Sequence, residues 1–260
     1  SKLSLAGSWQ FQIDPEGTVR VDTLSPDRAI DVPMPWQAVF PELETYSGFA
    51  WYRREFEVEE GWLDGEVLLT FGAVDYWCEV FVNGQHVGEH EGGYTAFTFS
   101  ISDHLRAGVN EVAVRVYDAA YPGTVVPRWQ TDPYTGSTPP IDPIHVPHGK
   151  QSWYVECGGI WQDVTLTAVP ASYIDQVRIT TDIHSGAVTV QVSVGGNATA
   201  GTLRAEIDGQ QVEIALDGGR EYQVVVPVEQ PKLWTPDDPR LYTAKITLDD
   251  DQVDVRFGFR

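Results

Sequence analysis

Residues 158–166 read Gly158-Gly159-Ile160-Trp161-Gln162-Asp163-Val164-Thr165-Leu166. The glycine pair permits a bend with positive φ, because a residue without a Cβ enters the left-handed region at no steric cost. Beyond it Ile160, Val164 and Leu166 alternate with polar neighbours, the period of a strand with one buried face. A glycine bend that launches a half-buried strand makes this a β-rich chain locally, and the flanks repeat the pattern.

Toward the N-terminus, Trp9, Phe11 and Ile13 alternate with polar residues and predict a first strand. Residues 14–50 read as irregular, broken by Pro15, Pro26, Pro33, Pro35 and Pro41. Strands are then expected over 50–58, 65–71 and 75–82. In the last, Cys78 shares the row of Tyr76, Val80 and Val82, so it should face the core as a small hydrophobe. Asn83-Gly84 follows, a hairpin signal because both residues accept positive φ. The partner strand is expected from Gln85, and further strands over 95–101 and 110–117. A short helical turn should lie between these two, over 103–108, ended by its glycine.

After Asp118 the periodicity stops. Residues 119–150 contain seven prolines, with Trp129, Tyr134, Ile141, Ile144 and Val146 as apolar anchors. A stretch of this length without elements of its own is uncommon in a compact domain unless it has a use. A domain boundary is expected at Val169-Pro170-Ala171, giving domains 1–170 and 171–260. The second domain reads as strands over 174–182, 187–194, 202–208, 211–216, 221–228, 241–248 and 252–258. Turns such as Asp208-Gly209 and Asp217-Gly218-Gly219 separate them. Seven short strands in so few residues predict an immunoglobulin-like sandwich.

Composition narrows the function classes. The 260 residues are 42% hydrophobic and 12% aromatic, enough for sizeable cores and unlike a disordered chain. The net charge of −21 opposes binding to nucleic-acid phosphates and anionic lipid headgroups. No apolar run approaches the roughly 18 residues of a membrane span. Ser1-Lys2-Leu3-Ser4-Leu5-Ala6-Gly7 does not read as a signal peptide, and the expected location is cytoplasmic. The two cysteines, Cys78 and Cys157, make no disulfide framework. His145 and His148 are three apart, but in a Pro/Gly-rich loop where no helix turns them onto one face. No metal and no cofactor are expected.

Read in order, the motifs resemble those of glycoside hydrolase family 2, which includes β-galactosidases, β-glucuronidases and β-mannosidases. Trp51-Tyr52-Arg53-Arg54-Glu55-Phe56 is similar to the family's W-Y-R-R-x-F strand. Phe71-Gly72-Ala73-Val74 and Val80-Phe81-Val82-Asn83-Gly84 are similar to its next two elements. Glu91-Gly92-Gly93-Tyr94-Thr95-Ala96-Phe97 resembles the G-G-Y stretch of β-glucuronidases, and Asn110–Val116 the strand after it. Gly158–Leu166 resembles the strand that closes the sugar-binding domain. Leu233-Trp234-Thr235-Pro236 through Pro239-Arg240-Leu241-Tyr242 is similar to the L-W-x-P-x-x-P-x-L-Y signature, and Val255–Arg260 to the strand leading into the catalytic domain.

The resemblance covers the whole chain and implies a fold that is all-β, a jelly-roll sandwich followed by an immunoglobulin-like one. In the family a (β/α)₈ barrel with two catalytic glutamates comes next, so no catalytic residue is expected within these 260. The implied role is the non-catalytic portion of a retaining β-glycosidase, scaffolding its own C-terminal barrel and lending a loop to the substrate-site rim. The implied partners are a β-linked sugar and that barrel, with a homo-oligomer possible. The loop corresponds to Lys150, Gln151, Trp153, Tyr154 and Glu156, the substrate-binding candidates. Lys150-Gln151-Ser152 is similar to K-Q-S in β-glucuronidases. Aromatic faces suit the C–H faces of a sugar, and Glu156 is the only carboxylate between Lys150 and Gly159. The whole stretch 118–156 is expected to project from one end of the first domain, with part of 119–150 mobile. The alternative is a stand-alone carbohydrate-binding sandwich, since fold alone does not fix function.

Overall fold

The computed structural model describes residues 1–119, 146, 157–196 and 199–260. The expected mobility within 119–150 and the expected projection of 118–156 fall, apart from Asp118, Ala119 and Val146, outside the described residues, as do the anchors Trp129, Tyr134, Ile141 and Ile144. The chain folds as two compact units, Ser1–Leu63 with Val67–Ala168, and Asp64–Glu66 with Val169–Arg260.

Unit 1 holds strands β1 (Lys2–Ser4), β2 (Gly7–Asp14), β3 (Arg28–Val32), β4 (Gly48–Val58), β5 (Glu66–Phe71), β6 (Val74–Asp75), β7 (Trp77–Val82), β8 (Gln85–Glu91), β9 (Phe97–Ser100), β10 (Gly108–Asp118), β11 (Gly159–Ile160) and β12 (Val164–Val169). One α-helical turn, α1 (Trp36–Val39), lies between β3 and β4. A six-stranded sheet runs β3-β2-β4-β10-β7-β8, a four-stranded one β1-β12-β5-β9, and β11 pairs with β6. This is a jelly-roll sandwich. Alternation fills its core: Trp9, Phe11, Ala50, Tyr52, Cys78, Val80, Val112, Val114 and Val116 from the larger sheet meet Val67, Leu69, Phe71, Val164 and Leu166 from the smaller.

Cys78 is fully buried, and burial pushes its thiol up to about 12 while the His90 backbone amide opposes the shift. No disulfide joins it to Cys157. The outer face of the six-stranded sheet carries a second, smaller apolar cluster of Phe49, Tyr76, Trp77, Tyr117, Ala119 and Val146. Val146 is thus an anchor of the long segment, as its apolar character indicates.

Asn83 and Gly84 have φ of 50° and 77°, the two positive values that a hairpin of right-handed twist requires. Asn83 also ties three segments together. Its Nδ2 donates to His104 O at 2.7 Å and Asn110 Oδ1 at 2.8 Å, and its Oδ1 accepts from Glu111 N at 3.0 Å. Further along the hairpin, Val80 opposes Gly88 but Phe81 opposes His86, so Val87 is an extra residue that bulges β8.

Three local expectations are corrected. Residues 14–50 are not irregular throughout, because Ile30 and Val32 bury one row of β3 and Trp36 begins α1. The strand expected over 75–82 is two elements: the Asp75–Tyr76 peptide is cis, and Val74–Asp75 pairs with Gly159–Ile160 instead of continuing β7. The helical turn expected over 103–108 is a 3-10 turn, Ser102–His104, and Gly108 at φ 85° opens β10.

Unit 2 contains β13 (Ser172–Thr181), β14 (Ala187–Gly196), β15 (Thr202–Ile207), β16 (Gln210–Ala215), β17 (Glu221–Pro227), β18 (Tyr242–Leu248) and β19 (Asp251–Phe257). All seven expected strands are present. Sheets β13-β14-β17 and β16-β15-β18-β19 make an immunoglobulin-like sandwich. Its fourth strand, β16, joins the second sheet, where the seven-stranded constant-type arrangement places it in the first. Val188, Val190, Val192, Leu203, Ala205, Ile246 and Leu248 fill the core from alternate positions.

Candidate functional site

β10 ends at Asp118 and the chain rejoins the sandwich at Cys157-Gly158, so residues 119–156 form one long connection between β10 and β11. The geometry at its two ends is built by α1. The approach bends at Pro33, and Pro35 stands extended at the N-cap with φ −70° and ψ 143°. Pro41 stops the helix after one turn, since a proline cannot supply the next amide.

That turn delivers Trp36 and Gln37. The Trp36 ring is fully buried, 6.1 Å from Phe11 and 5.9 Å from Tyr46 between centroids, and its Nε1 donates to Tyr46 O at 3.2 Å. Its backbone N–H donates to Gly158 O at 3.3 Å. The Gln37 amide reaches both ends of the connection. Its Nε2 donates to Asp118 Oδ2 at 2.8 Å and, more loosely, to Tyr46 O at 3.3 Å. Its Oε1 accepts from Gly158 N at 2.9 Å. Asp118 is only 3% exposed, so its carboxylate needs such a partner; a buried charge without hydrogen bonds costs several kcal/mol, on the order of the penalty for desolvating an ion.

The two glycines serve different purposes. Gly159 has φ 106°, as the glycine bend predicts, but Gly158 lies outside the positive region. Gly158 is required by proximity: a Cβ there would stand 2.5 Å from both Asp118 Oδ2 and Trp36 Cζ2. A Cβ at Gly159 would run into the Tyr52 hydroxyl and come 3.0 Å from Trp36 Cε3. That hydroxyl is buried without a hydrogen bond of good geometry among the described residues. Burial holds it well above the ordinary tyrosine range; the Ile160 backbone amide opposes the shift and the charge of Asp118 adds to it.

The β6–β11 pair carries this end of the sandwich on to the Gly92-Gly93-Tyr94 turn. Gly159 pairs with Asp75, and a Cβ at Gly93 would meet the Asp75 carboxylate at 2.6 Å. Trp161 Nε1 donates to Gly93 O at 2.8 Å, and Tyr94 stands edge-on to the Trp161 ring with centroids 5.8 Å apart. Tyr94 is 64% exposed, an aromatic surface beside the glycine strand. Among the described residues no three metal-ligating side chains converge.

Lys150, Gln151, Trp153, Tyr154 and Glu156 all lie outside the described residues, within the connection whose ends are fixed as above. The sequence reading passed over Trp36, Gln37, Tyr52 and Asp118. A signal existed for the last. Val112, Val114 and Val116 define the inward row of β10, and the next position in that row is the carboxylate of Asp118.

Family models match nearly the whole chain. One described as "Glycosyl hydrolases family 2, sugar binding domain" matches residues 3–170. One described as "Glycosyl hydrolases family 2" matches residues 172–260. A putative β-glucuronidase of Formosa agariphila is 27% identical over 251 residues, 89% of this chain and 28% of its own length. A β-galactosidase of Clostridium acetobutylicum is 25% identical over 273 residues, 97% of this chain and 28% of its own length. The crystal structure of a family 2 β-galacturonidase from Eisenbergiella tayi bound to glycerol superposes with a TM-score of 0.72 at 25% identity, covering 100% of this chain and 43% of that one. The chain therefore spans less than half the length of these relatives.

Proposed function

The chain belongs to glycoside hydrolase family 2 across both its units, and from that premise we propose that it is the non-catalytic portion of a retaining β-glycosidase. In this reading the two sandwiches scaffold a (β/α)₈ barrel, and the connection between β10 and β11 lends residues to the rim of the sugar site. The chemistry itself would reside in the barrel, where a nucleophile and an acid/base stand about 5 Å apart across the glycosidic bond. Trp153 and Tyr154 would offer faces to the sugar ring, and Lys150, Gln151 and Glu156 would offer polar contacts.

The observation that supports the rim role is the rigid mounting of the connection. It leaves and rejoins unit 1 at Asp118 and Gly158, two positions held by one Gln37 amide. A segment that contacts substrate needs this kind of support, because misplacement of about 1 Å costs on the order of 100-fold in rate.

Two measurements test the proposal. The purified 260-residue chain, assayed against nitrophenyl β-galactoside, β-glucuronide and β-mannoside, is expected to show no turnover above background. Turnover that co-purifies with the chain would overturn the assignment of chemistry to the barrel. In the full-length enzyme, Trp153→Ala or Glu156→Gln is expected to lower kcat/KM by roughly 1–3 kcal/mol of transition-state stabilisation. Wild-type kinetics in both would show that the stretch has no part in the rim.

A further inference from the structure

The Gln37 side chain is poorly explained as a helix residue. α1 has a single turn, and a surface glutamine on such a turn has no reason to point inward. Here the amide uses both of its ends: Nε2 donates to Asp118 Oδ2 at 2.8 Å, and Oε1 accepts from Gly158 N at 2.9 Å. The first partner is 81 positions away in sequence and the second 121. A neutral carboxamide carries a donor and an acceptor on one planar carbon, and so satisfies a carboxylate and a backbone N–H at once. Aspartate or glutamate lacks the donor, and lysine or arginine lacks the acceptor. The neighbourhood is filled to the same end, since no Cβ fits at Gly158 between Asp118 and Trp36.

We infer that Gln37 is a positioning residue that fixes the two ends of the 119–156 connection relative to each other, and so sets the pose in which that connection meets the sugar. The functional half of this inference rests on the rim role proposed above. The mechanical half does not: it concerns only Gln37, Asp118 and Gly158. Gln37 touches no substrate in this scheme and acts through the segment it clamps.

The test separates the two halves. In the 260-residue chain, amide hydrogen exchange is followed at Gly158 and Trp36, with Val114 in the unit 1 core as the internal reference. Gln37→Ala is expected to speed exchange at Gly158 at least about tenfold and to leave Val114 unchanged, because a lost local bond opens only its own surroundings. Equal acceleration at all three sites would mean that Gln37 merely stabilises the unit, and unchanged exchange at Gly158 would mean that it clamps nothing; either overturns the inference. Gln37→Glu keeps the acceptor for Gly158 but sets a carboxylate against Asp118. Adding Asp118→Asn restores one donor and one acceptor across the pair, so the double variant is expected to regain wild-type exchange where Gln37→Glu alone does not. Failure of that rescue counts against the clamp as well.

In the full-length enzyme, with the nitrophenyl glycoside it turns over best, Gln37→Ala is expected to raise KM several-fold more than it lowers kcat, with recovery in the Gln37→Glu/Asp118→Asn pair. If exchange responds as expected and kinetics do not, the mechanical clamp stands and its part in setting the pose at the sugar falls, while the rim role itself is decided by Trp153→Ala and Glu156→Gln.

Discussion

The phenolic oxygen of Tyr52 occupies the space that a Cβ on Gly159 would need. Tyr52 sits in the middle of β4 and Gly159 begins β11, so one of the two central strands of the larger sheet fixes how closely the glycine strand can approach. The two residues are matched by subtraction: one supplies a hydroxyl, the other supplies nothing.

The match is measurable. Gly159→Ala should destabilise the chain by about 2–5 kcal/mol, combining strain at positive φ with overpacking against the ring. In a Tyr52→Phe background the overpacking share should fall while the φ cost remains, leaving a coupling of about 1 kcal/mol in urea unfolding. A cycle that closes with no coupling would mean that the two residues do not compete for space.

Asn83 should matter beyond its turn. Glycine would accept the φ of 50° there without strain, so Asn83→Gly isolates the side chain. Losing its bonds to His104 O, Asn110 Oδ1 and Glu111 N is expected to cost about 1–3 kcal/mol. A variant as stable as wild type would reduce Asn83 to a turn former.

The thiols should differ in reactivity. Cys157 is exposed, while Cys78 is buried with its thiol pushed up to about 12. A thiolate is the reactive form. A disulfide-exchange reagent at pH 8 should therefore titrate one equivalent in the native chain and two in urea. Two rapid equivalents without denaturant would contradict the packing of Cys78.

His90 should make unit 1 sensitive to acid. Its ring stacks on Phe97 with centroids 4.0 Å apart, and its Nε2 is buried without a partner among the described residues. Burial depresses its pKa below the ordinary value; the Gly92 backbone and the charge of Glu91 oppose this. The unfolded chain then binds the proton more readily than the folded one. The neutral ring's contribution is complete above about 6.5, the ordinary value, and is lost as pH falls below it through the lower folded pKa. Between pH 7.5 and 5, wild type should lose more thermal stability than His90→Gln. Parallel Tm profiles would show that His90 is not responsible.

Much of this architecture is legible in the sequence because alternation is a local signal. Val188, Val190, Val192 and Val194 announce β14 by themselves, and the other strands of unit 2 read the same way. β3 is hidden because the prolines around it outweigh two inward residues, Ile30 and Val32. The break between β6 and β7 is hidden because Val74 and Cys78 both look like members of one alternating row, and only the pairing with Gly159–Ile160 separates them. Gln37, Asp118 and Gly158 meet across separations of 81 and 121 residues. No periodicity encodes such a meeting. In the sequence the glycine pair signals conformational freedom, whereas Gly158 owes its identity to Trp36 and Asp118, which only the folded chain brings beside it.

The extra residue in β8 has a consequence at the margin of the six-stranded sheet. Among the described residues β8 is an edge strand, and a long flat edge with unpaired amides invites strands of other molecules to add to it. Inserting Val87 bends that edge and sharpens its twist, and Glu89 and Glu91 place negative charge along the same margin. At the opposite margin β3 is five residues long and ends just before Pro33. Among the described residues neither border offers a straight template. In a chain of net charge −21, these borders discourage edge-on polymerisation at high protein concentration.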